Sequence, residues 1–399
     1  MKKPASNPEI TPARRVAQVE EYYFSRKLKE IAAMREAGID VISLGVGSPD
    51  MAPSAATIQA LHDDSLRPDA NGYMPYVGIP GLRKAYAEWY KRWYGVELNP
   101  ATMIQPLIGS KEGILHITLA FVNPGDKVLV PNPGYPTYSS VSRLAEAEII
   151  AYDLTEESGW EPDFDALEAM DLEGVKLMWV NYPNMPTGKR ASRELFEKLV
   201  AFGRKHNIVI VNDNPYSFIL NDRPLSILAT LGAEEVCIEM NSMSKSHNMP
   251  GWRIGVACAK PQFIEWILRV KSNIDSGMYR PLQLAAIEAL GNSAEWHAEN
   301  NRVYARRRKK AEAIMELLGC TFDANQSGLF LWGRVPDHMA DAEELTEQVL
   351  HEAHVFITPG KIFGTNGRRY IRISLCAPEE TLQAAHDRIE AMLKQQQTI

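Results

Sequence analysis

Polar side chains that could do chemistry follow four apolar runs of this sequence. Asp213 follows the run "IVIV", and Lys245, which stands between two serines, follows "VCIEM". Asn181 follows "LMWV", and Tyr135 follows "VLV" in a turn rich in proline and glycine. Open α/β sheets bind ligands beyond the carboxyl ends of their strands, so these side chains are expected to share one edge of a sheet.

Each of these residues alone also has an ordinary structural explanation. An aspartate after a buried strand is often a helix cap or a turn residue, and a lysine in a serine-rich loop is usually solvated. A tyrosine in such a turn more often packs than reacts. The prediction of a site therefore depends on the combination.

A candidate anion site completes the combination. The segment "GSKEG" at residues 109–113 opens a predicted helix, whose first backbone N–H groups and positive dipole end favour a bound anion. Arg253 follows Lys245 by eight residues. An amine for a Schiff base, an acid for a ring nitrogen, an aromatic face and an anion cradle together indicate pyridoxal phosphate.

Five motifs, in order, resemble the class I/II aminotransferases of pyridoxal-phosphate fold type I over essentially the whole chain. The segment "SMSKSHNMPGWRIG" is similar to the family pattern S-x-S-K…G-x-R-x-G. The other four are "NDNPY", "PNMPTG", "GYMPYVGIPGLR" and "YIRISL". A match to one of them would decide nothing, whereas five in the right order make coincidence a poor explanation.

The resemblance implies a role for each matching residue. Lys245 would form the Schiff base and move the proton, Asp213 would pair with the pyridine nitrogen, and Tyr216 would donate to the phenolic oxygen. Tyr135 would stack on the ring, and Arg372 would clamp the substrate α-carboxylate beside the backbone of Gly47. The phosphate would be held by residues of two loops, with one residue from a partner subunit: Ser110, Lys111, Ser242, Ser244, Arg253 and the partner's Tyr73.

One position departs from the family pattern. The family usually has asparagine directly before "PTG", and its amide contacts the phenolic oxygen. Here that position is Met185, which has no N–H donor. Either Asn184 or Asn181 substitutes for it, or the contact is absent.

The function implied by the resemblance is transfer of an amino group from an L-amino acid to a 2-oxo acid, with ping-pong kinetics. The alternative is a carbon–sulfur β-lyase, which has the same fold. The N-terminal segments look most like the branch with LL-diaminopimelate and alanine-type aminotransferases. Four residues are candidates to select the substrate side chain, although a structural role is the commoner explanation for each: Tyr22, Tyr23, Tyr279 and Arg280. A homodimer with amino acid and 2-oxo acid substrates is expected.

The elements that must position these residues are predicted from apolar periodicity. From residue 51 to about residue 281, five short apolar runs alternate with amphipathic helical stretches, which indicates a mostly parallel, doubly wound α/β sheet. The runs are "KVLVP" (127–131), "VKLMWVNYP" (175–183), "NIVIVND" (207–213), "EVCIEMNS" (235–242) and "RIGVACA" (253–259). After that, helices and two strands indicate a smaller α+β domain that includes the N-terminal segment. The predicted division is 1–48 (arm and part of the small domain), 49–285 (large cofactor domain) and 286–399 (small domain).

Composition excludes other classes. The chain has 399 residues and a net charge of −7, so broad attraction to nucleic acid or an anionic membrane is not expected. Four cysteines lie far apart, which is typical of a reducing cytoplasm, and no secretory h-region follows the first residues. The segment "HEAH" at 351–354 lacks a catalytic metal-ligand set, so no metal is predicted. The basic stretch at 302–312 is expected to be solvated or paired with acids of its own helix, and not to be a nucleic-acid patch.

Overall fold

The structure, a computed structural model, describes residues 10–19 and 23–396. Within these ranges the chain forms strands that we number in chain order: β1 (Ile42–Ser43), β2 (Ile104–Leu107), β3 (Lys127–Asn132), β4 (Glu148–Asp153), β5 (Val175–Val180), β6 (Val209–Asp213), β7 (Cys237–Ser242), β8 (Gly255–Cys258), β9 (Thr321–Phe322), β10 (Phe330–Arg334), β11 (Val355–Phe356), β12 (Thr358–Pro359) and β13 (Tyr370–Ser374).

The helices of the same ranges are α1 (Arg14–Ala17), α2 (Tyr23–Glu36), α3 (Ala55–Ser65), α4 (Pro80–Tyr94), α5 (Ser110–Phe121), α6 (Pro136–Leu144), α7 (Phe164–Glu168), α8 (Arg193–His206), α9 (Ala233–Val236), α10 (Met243–Ser246), α11 (Pro261–Lys271), α12 (Arg280–Leu290), α13 (Ala294–Leu317), α14 (Ala342–Glu352) and α15 (Glu379–Gln396). In the described ranges, none of these helices combines the length and the apolar character needed to cross a membrane.

Seven strands form the central sheet, in the order β2-β8-β7-β6-β5-β3-β4. All run parallel to one another except β8, which is antiparallel to both of its neighbours. The predicted mostly parallel α/β sheet is therefore confirmed. The carboxyl ends of β3, β5, β6 and β7 share one edge, and the turns that follow them carry the candidate residues.

Helices cover both faces of this sheet, which explains why its strands read as continuous apolar runs. Along β5, Leu177 and Trp179 belong to one hydrophobic cluster, whereas Met178 and Val180 belong to another. Side chains that alternate between two buried faces leave no polar face. The helix α8 adds Leu195 and Phe196 to the second cluster, and its first turn is capped by Ser192, whose hydroxyl accepts a hydrogen bond from the backbone N–H of Leu195 at 3.1 Å.

The small domain combines both ends of the chain, as predicted. Its four-stranded antiparallel sheet has the order β12-β13-β10-β9. The N-terminal strand β1 pairs in parallel with the C-terminal strand β11, with Ile42 opposite Val355. Leu44 continues this path, because its backbone oxygen accepts a hydrogen bond from the N–H of Ser374 at 2.8 Å. The residue boundaries at 48 and 285 stay a prediction.

Candidate active site

A cavity of about 340 Å³ lies at the edge of the central sheet, where the N-terminus of α5 and the strand β13 approach the ends of β5, β6 and β7. Its walls include eleven residues that the sequence singled out: Gly47, Ser110, Lys111, Tyr135, Asp213, Tyr216, Ser242, Ser244, Lys245, Arg253 and Arg372. The structure therefore brings together residues from both domains of the chain.

The first end of the cavity is cationic and is built on the start of α5. Gly109 precedes this helix with φ +84°, and the guanidinium of Arg253 lies so close that a Cβ on Gly109 would be 2.2 Å from Nη2. The hydroxyl of Ser110 is buried and has no hydrogen-bond partner among the described residues. Arg253 also contacts the Ser244 hydroxyl at 3.4 Å. A helix N-terminus, an unused hydroxyl and a guanidinium together suit a phosphate group.

Asp213, at the end of β6, stands in the middle of the cavity. Its Oδ2 accepts a hydrogen bond from the Tyr138 hydroxyl at 2.9 Å, while Oδ1 is buried and has no partner within the described ranges. Burial is the main cause that raises the pKa of Asp213 to about 6, and the hydrogen bond from Tyr138 acts in the opposite direction. A protonated ring nitrogen would satisfy this unused carboxylate oxygen.

Lys245 projects from the short helix α10, directly after β7. Its amine donates a hydrogen bond to the backbone oxygen of Gly47. Burial is the largest cause that lowers the pKa of Lys245, and the neighbouring positive charges of Arg372 and Arg253 act in the same direction. The cavity therefore increases the neutral fraction of an amine that must be neutral to act as a nucleophile or base.

Two predicted aromatic residues line the same region. Tyr135 is the residue before α6, and its ring contacts the Tyr138 ring edge-on at 5.6 Å. Tyr216 lies in the turn after β6 and packs against Phe330, with 6.1 Å between the two ring centres. Burial raises the pKa of both tyrosines, so both keep their hydroxyl protons at neutral pH.

The second end of the cavity is formed by Arg372 on β13. Its guanidinium donates to the backbone oxygen of Gly45 at 2.8 Å and contacts the thioether of Met185 at 3.2 Å. The central guanidinium carbon lies 3.8 Å from the ring centre of Phe330 and 4.5 Å from that of Phe363. A rigidly held, buried guanidinium suits bidentate binding of a carboxylate.

The two asparagines near Met185 have different positions. Asn184 is buried inside its turn, where its amide donates to the backbone oxygen of Asn181 and its side-chain oxygen accepts from Thr187. It does not line the cavity. Asn181 does line it, and its amide donates to the backbone oxygen of Asp213 at 2.6 Å. Of the two candidates, Asn181 is the one beside the cavity.

Several other predicted residues lie elsewhere. Tyr73 is 92% exposed and is not part of the cavity of its own chain. Tyr23 and Tyr279 also lie outside the cavity wall, and Arg280 forms ion pairs with Asp64 and Asp69. Tyr22 lies outside the described residues. Tyr73 could therefore reach a phosphate site only in a partner subunit, as predicted from the resemblance. Tyr23, Tyr279 and Arg280 do not line the cavity of their own chain, so their predicted role in selecting the substrate side chain has no support there.

Sequence reasoning missed some cavity residues. Tyr138 on α6 is the clearest case, because it comes three residues after Tyr135, which directly precedes this helix, and that spacing was available as a signal. Phe330 and Phe363 reach the cavity through the packing of the small domain, for which no local signal exists. The other apolar wall residues that the sequence did not single out are Phe24, Leu28, Val46, Pro215 and Pro250.

Two charged segments have structural explanations. Near "HEAH", the carboxylates of Glu30 and Glu347 lie 3.5 Å from the ring of His351, and both acids pair with Lys27 at 2.7 Å. On α13, Arg302 and Arg308 pair with acids of their own helix, as expected. Arg306 instead pairs with Glu379, and Arg307 pairs with Asp50, so the expectation holds for only part of the stretch.

Comparisons with known proteins agree with this geometry. A family model described as "Aminotransferase class I and II" matches residues 39–389. LL-diaminopimelate aminotransferase of Dehalococcoides mccartyi is 42% identical over 373 residues, which cover 93% of this chain and 96% of that protein. The enzyme of the same name from Moorella thermoacetica is 42% identical and covers 96% and 98%.

Solved structures are similar over the same length. The substrate-bound structure of BacF from Bacillus subtilis superposes with a TM-score of 0.91 at 35% identity, covering 96% of this chain and 98% of that one. A mutant aspartate aminotransferase from Thermus thermophilus gives a TM-score of 0.89 at 26% identity, covering 96% and 100%.

Proposed function

The chain belongs to the class I and II aminotransferases and is an aminotransferase; from that premise we propose that its cavity holds pyridoxal 5′-phosphate on Lys245. The single observation that supports this best is one cavity with three matched features. These are the amine of Lys245, the unused carboxylate oxygen of Asp213 and the cationic start of α5. Because the relatives are aminotransferases, the β-lyase alternative is not favoured.

The residues present fit the cofactor at each of its polar groups. Ser110, Lys111 and Arg253 would hold the phosphate, together with Ser242 and Ser244. Asp213 would keep a proton on the ring nitrogen, because a carboxylate with one unused buried oxygen gains a charge-assisted hydrogen bond there. Tyr216 would donate to the phenolic oxygen, and Tyr135 would cover the ring.

When bound, pyridoxal phosphate supplies an electron sink for the negative charge that develops at the substrate's α-carbon. Arg372 binds the α-carboxylate and so orients the bond to the α-hydrogen. The neutral amine of Lys245 accepts that proton from the α-carbon. The walls of the cavity exclude water while the proton moves. Since the first product leaves before the 2-oxo acid binds, ping-pong kinetics are expected.

The test is Lys245→Ala, with Lys84→Ala as the control. Lys84 is an exposed lysine whose side chain pairs only with Glu88 among the described ion pairs. We expect Lys245→Ala to abolish transamination and Lys84→Ala to leave it unchanged. After reduction of the wild-type holoenzyme with borohydride, peptide mass spectrometry should find the cofactor on Lys245. Appreciable transamination by Lys245→Ala, or cofactor on another lysine, would refute the assignment.

We also propose a homodimer in which the partner's Tyr73 completes the phosphate site. The support is that Tyr73 is 92% exposed and lies outside the cavity of its own chain. Tyr76 on the same segment is 46% exposed as well, and neighbouring exposed aromatic side chains favour a surface that another subunit covers. A reducing cytoplasm is the proposed compartment, because the four cysteines are buried thiols that form no disulfides.

The relatives from Dehalococcoides mccartyi and Moorella thermoacetica are named for LL-diaminopimelate. This amino acid carries a second ammonium and a second carboxylate at its far end. Whether this chain accepts such a donor depends on the part of the cavity that meets the far end of the substrate.

A further inference from the structure

The mouth of the cavity is apolar. Phe24 and Leu28 on α2 and Val46 after β1 form this part of the wall. Leu28 is 44% exposed and Val46 is 39% exposed, although both are large and apolar. These three residues, which we call the mouth residues, leave a hydrophobic surface facing the opening.

One of the mouth residues, Phe24, lies beside the guanidinium proposed to bind the substrate carboxylate. The ring centre of Phe24 is 5.7 Å from the central guanidinium carbon of Arg372. In an amino acid, the α-carboxylate and the side chain leave the same carbon atom. A substrate whose carboxylate binds Arg372 therefore directs its side chain along this apolar wall.

The charged groups of the cavity already have roles in the proposed function. The acidic side chain in its wall, within the described part of the chain, is Asp213, which is assigned to the ring nitrogen of the cofactor. Lys111 and Arg253 are assigned to the phosphate, Lys245 to the cofactor and Arg372 to the α-carboxylate. This wall has no further acid for a distal ammonium and no further cation for a distal carboxylate.

A charged residue next to the mouth on α2, Lys27, is already paired. Its amine lies 2.7 Å from the carboxylates of Glu30 and Glu347. A distal charge on the substrate would lose water at the mouth and gain no ionic partner from this wall, which is unfavourable. Each methylene group buried there is instead favourable.

We infer that this aminotransferase takes L-amino acids with uncharged aliphatic or aromatic side chains, and that the mouth residues determine this specificity. The inference rests on the proposed function and differs from the substrate in the names of the relatives. It concerns the far end of the donor only, so it can fail while the proposed function stands.

The experiment uses donors that differ only at their far ends. The purified pyridoxal form is mixed with L-2-aminoheptanoate, L-2-aminopimelate or LL-diaminopimelate, which share a seven-carbon chain. The rate of the half-reaction is read from the loss of the visible absorption of the bound aldehyde. We expect L-2-aminoheptanoate to react at least about tenfold more efficiently than the other two, as expected for unpaired distal charges.

A second readout does not depend on catalysis. Binding of heptanoate and of pimelate to the holoenzyme is compared by calorimetry, because these acids lack the amino group and cannot react. Heptanoate should bind at least about tenfold more tightly. Equal or tighter binding of pimelate, or a faster reaction with LL-diaminopimelate, would overturn the inference. If none of the three donors reacts, the proposed function fails and the inference, which rests on it, fails with it. A faster reaction with a charged donor overturns the inference alone and leaves the proposed function standing.

Leu28→Arg tests the mouth directly, with Val46→Arg as a second variant. Either change places a cation on the apolar wall and should raise the efficiency with L-2-aminopimelate relative to L-2-aminoheptanoate by about tenfold or more. The matched control is Leu231→Arg, the same substitution at a leucine that is 93% exposed and outside the cavity. An unchanged preference in both mouth variants would contradict the role of this wall.

Discussion

The proposed role of Asp213 requires an ionised carboxylate, but the burial of this side chain disfavours ionisation. Its carboxyl is buried, receives one hydrogen bond from Tyr138 and has a pKa of about 6 instead of the ordinary 3.8. Between these two values the folded chain binds more protons than the unfolded chain. Stability without cofactor therefore falls as pH rises from about 4 to about 6, and the loss persists at higher pH.

Asp213→Asn should stabilise the cofactor-free protein at pH 7.5 while it abolishes activity. Removing the unfavourable buried charge should raise the free energy of unfolding by up to about 3 kcal/mol, because burial raises the pKa of this carboxyl to about 6. Urea unfolding of both proteins measures the difference, which should grow from pH 4 to pH 6 and then level off.

Tyr138→Phe is the matched control for that prediction. It removes the hydrogen bond to Asp213 and leaves the buried carboxylate with less support, so it should destabilise the protein by about 1–3 kcal/mol at pH 7.5. Opposite signs for the two variants are expected. Destabilisation by Asp213→Asn at pH 7.5 would show that its charge is better compensated than the geometry indicates.

Among single residues, the sequence predicted those that belong to motifs next to strand ends, such as Asp213 and Lys245. It could not choose between Asn181 and Asn184, because the direction of a side chain inside a turn depends on which hydrogen bonds the turn makes. Asn184 is used by the turn itself, through Thr187. That choice is visible only in three dimensions.

Among the elements, the start of α5 depends on a glycine. At Gly109 the backbone has φ +84°, and a Cβ would lie 2.8 Å from the guanidinium carbon of Arg253. Gly109→Ala should displace Arg253 and weaken pyridoxal phosphate binding by about tenfold or more, as expected when a charge-assisted contact is lost. The measurement is titration of the cofactor-free protein, followed by fluorescence.

Gly95→Ala is the control that distinguishes the effect of backbone strain from the effect of displacing Arg253. Gly95 also has a positive φ, +69°, at the end of α4, but a Cβ there would have no atom within 4 Å. This control should lose about 1 kcal/mol of stability and keep its cofactor affinity. Equal loss of affinity in both variants would mean that strain, and not Arg253, explains the effect.

The sequence predicted the central strands of the seven-stranded sheet and missed its two edge strands. Five apolar runs correspond to β3, β5, β6, β7 and β8, whereas β2 and β4 had no prediction. These two are the edges of the sheet. β2 has only four residues and contains Pro106, and β4 is partly exposed, so neither shows the apolar run of a strand covered on both faces. The antiparallel direction of β8 had no signal in the sequence.

In the whole molecule, the cavity depends on contacts between distant parts of the chain. Motifs predicted which residues would meet, but the aromatic surroundings of Arg372 come from Phe330 and Phe363, which the small domain brings together. Composition described the surface and not the site, since a chain of net charge −7 gathers four cations in one cavity. Packing of this kind is set by tertiary structure and has no local pattern.

The proposed dimer leads to a prediction about mixed subunits. If Tyr73 serves the site of the partner, a hybrid of a Lys245→Ala subunit and a Tyr73→Phe subunit contains one complete site. Its intact Lys245 meets the intact Tyr73 of the other subunit. Co-expression with two affinity tags gives the hybrid, whose activity should be about half that of the wild-type dimer and well above either parent, because intersubunit sites complement one another. Activity no greater than half that of the Tyr73→Phe dimer would show that Tyr73 acts within its own subunit, and a monomer in solution would contradict the dimer itself.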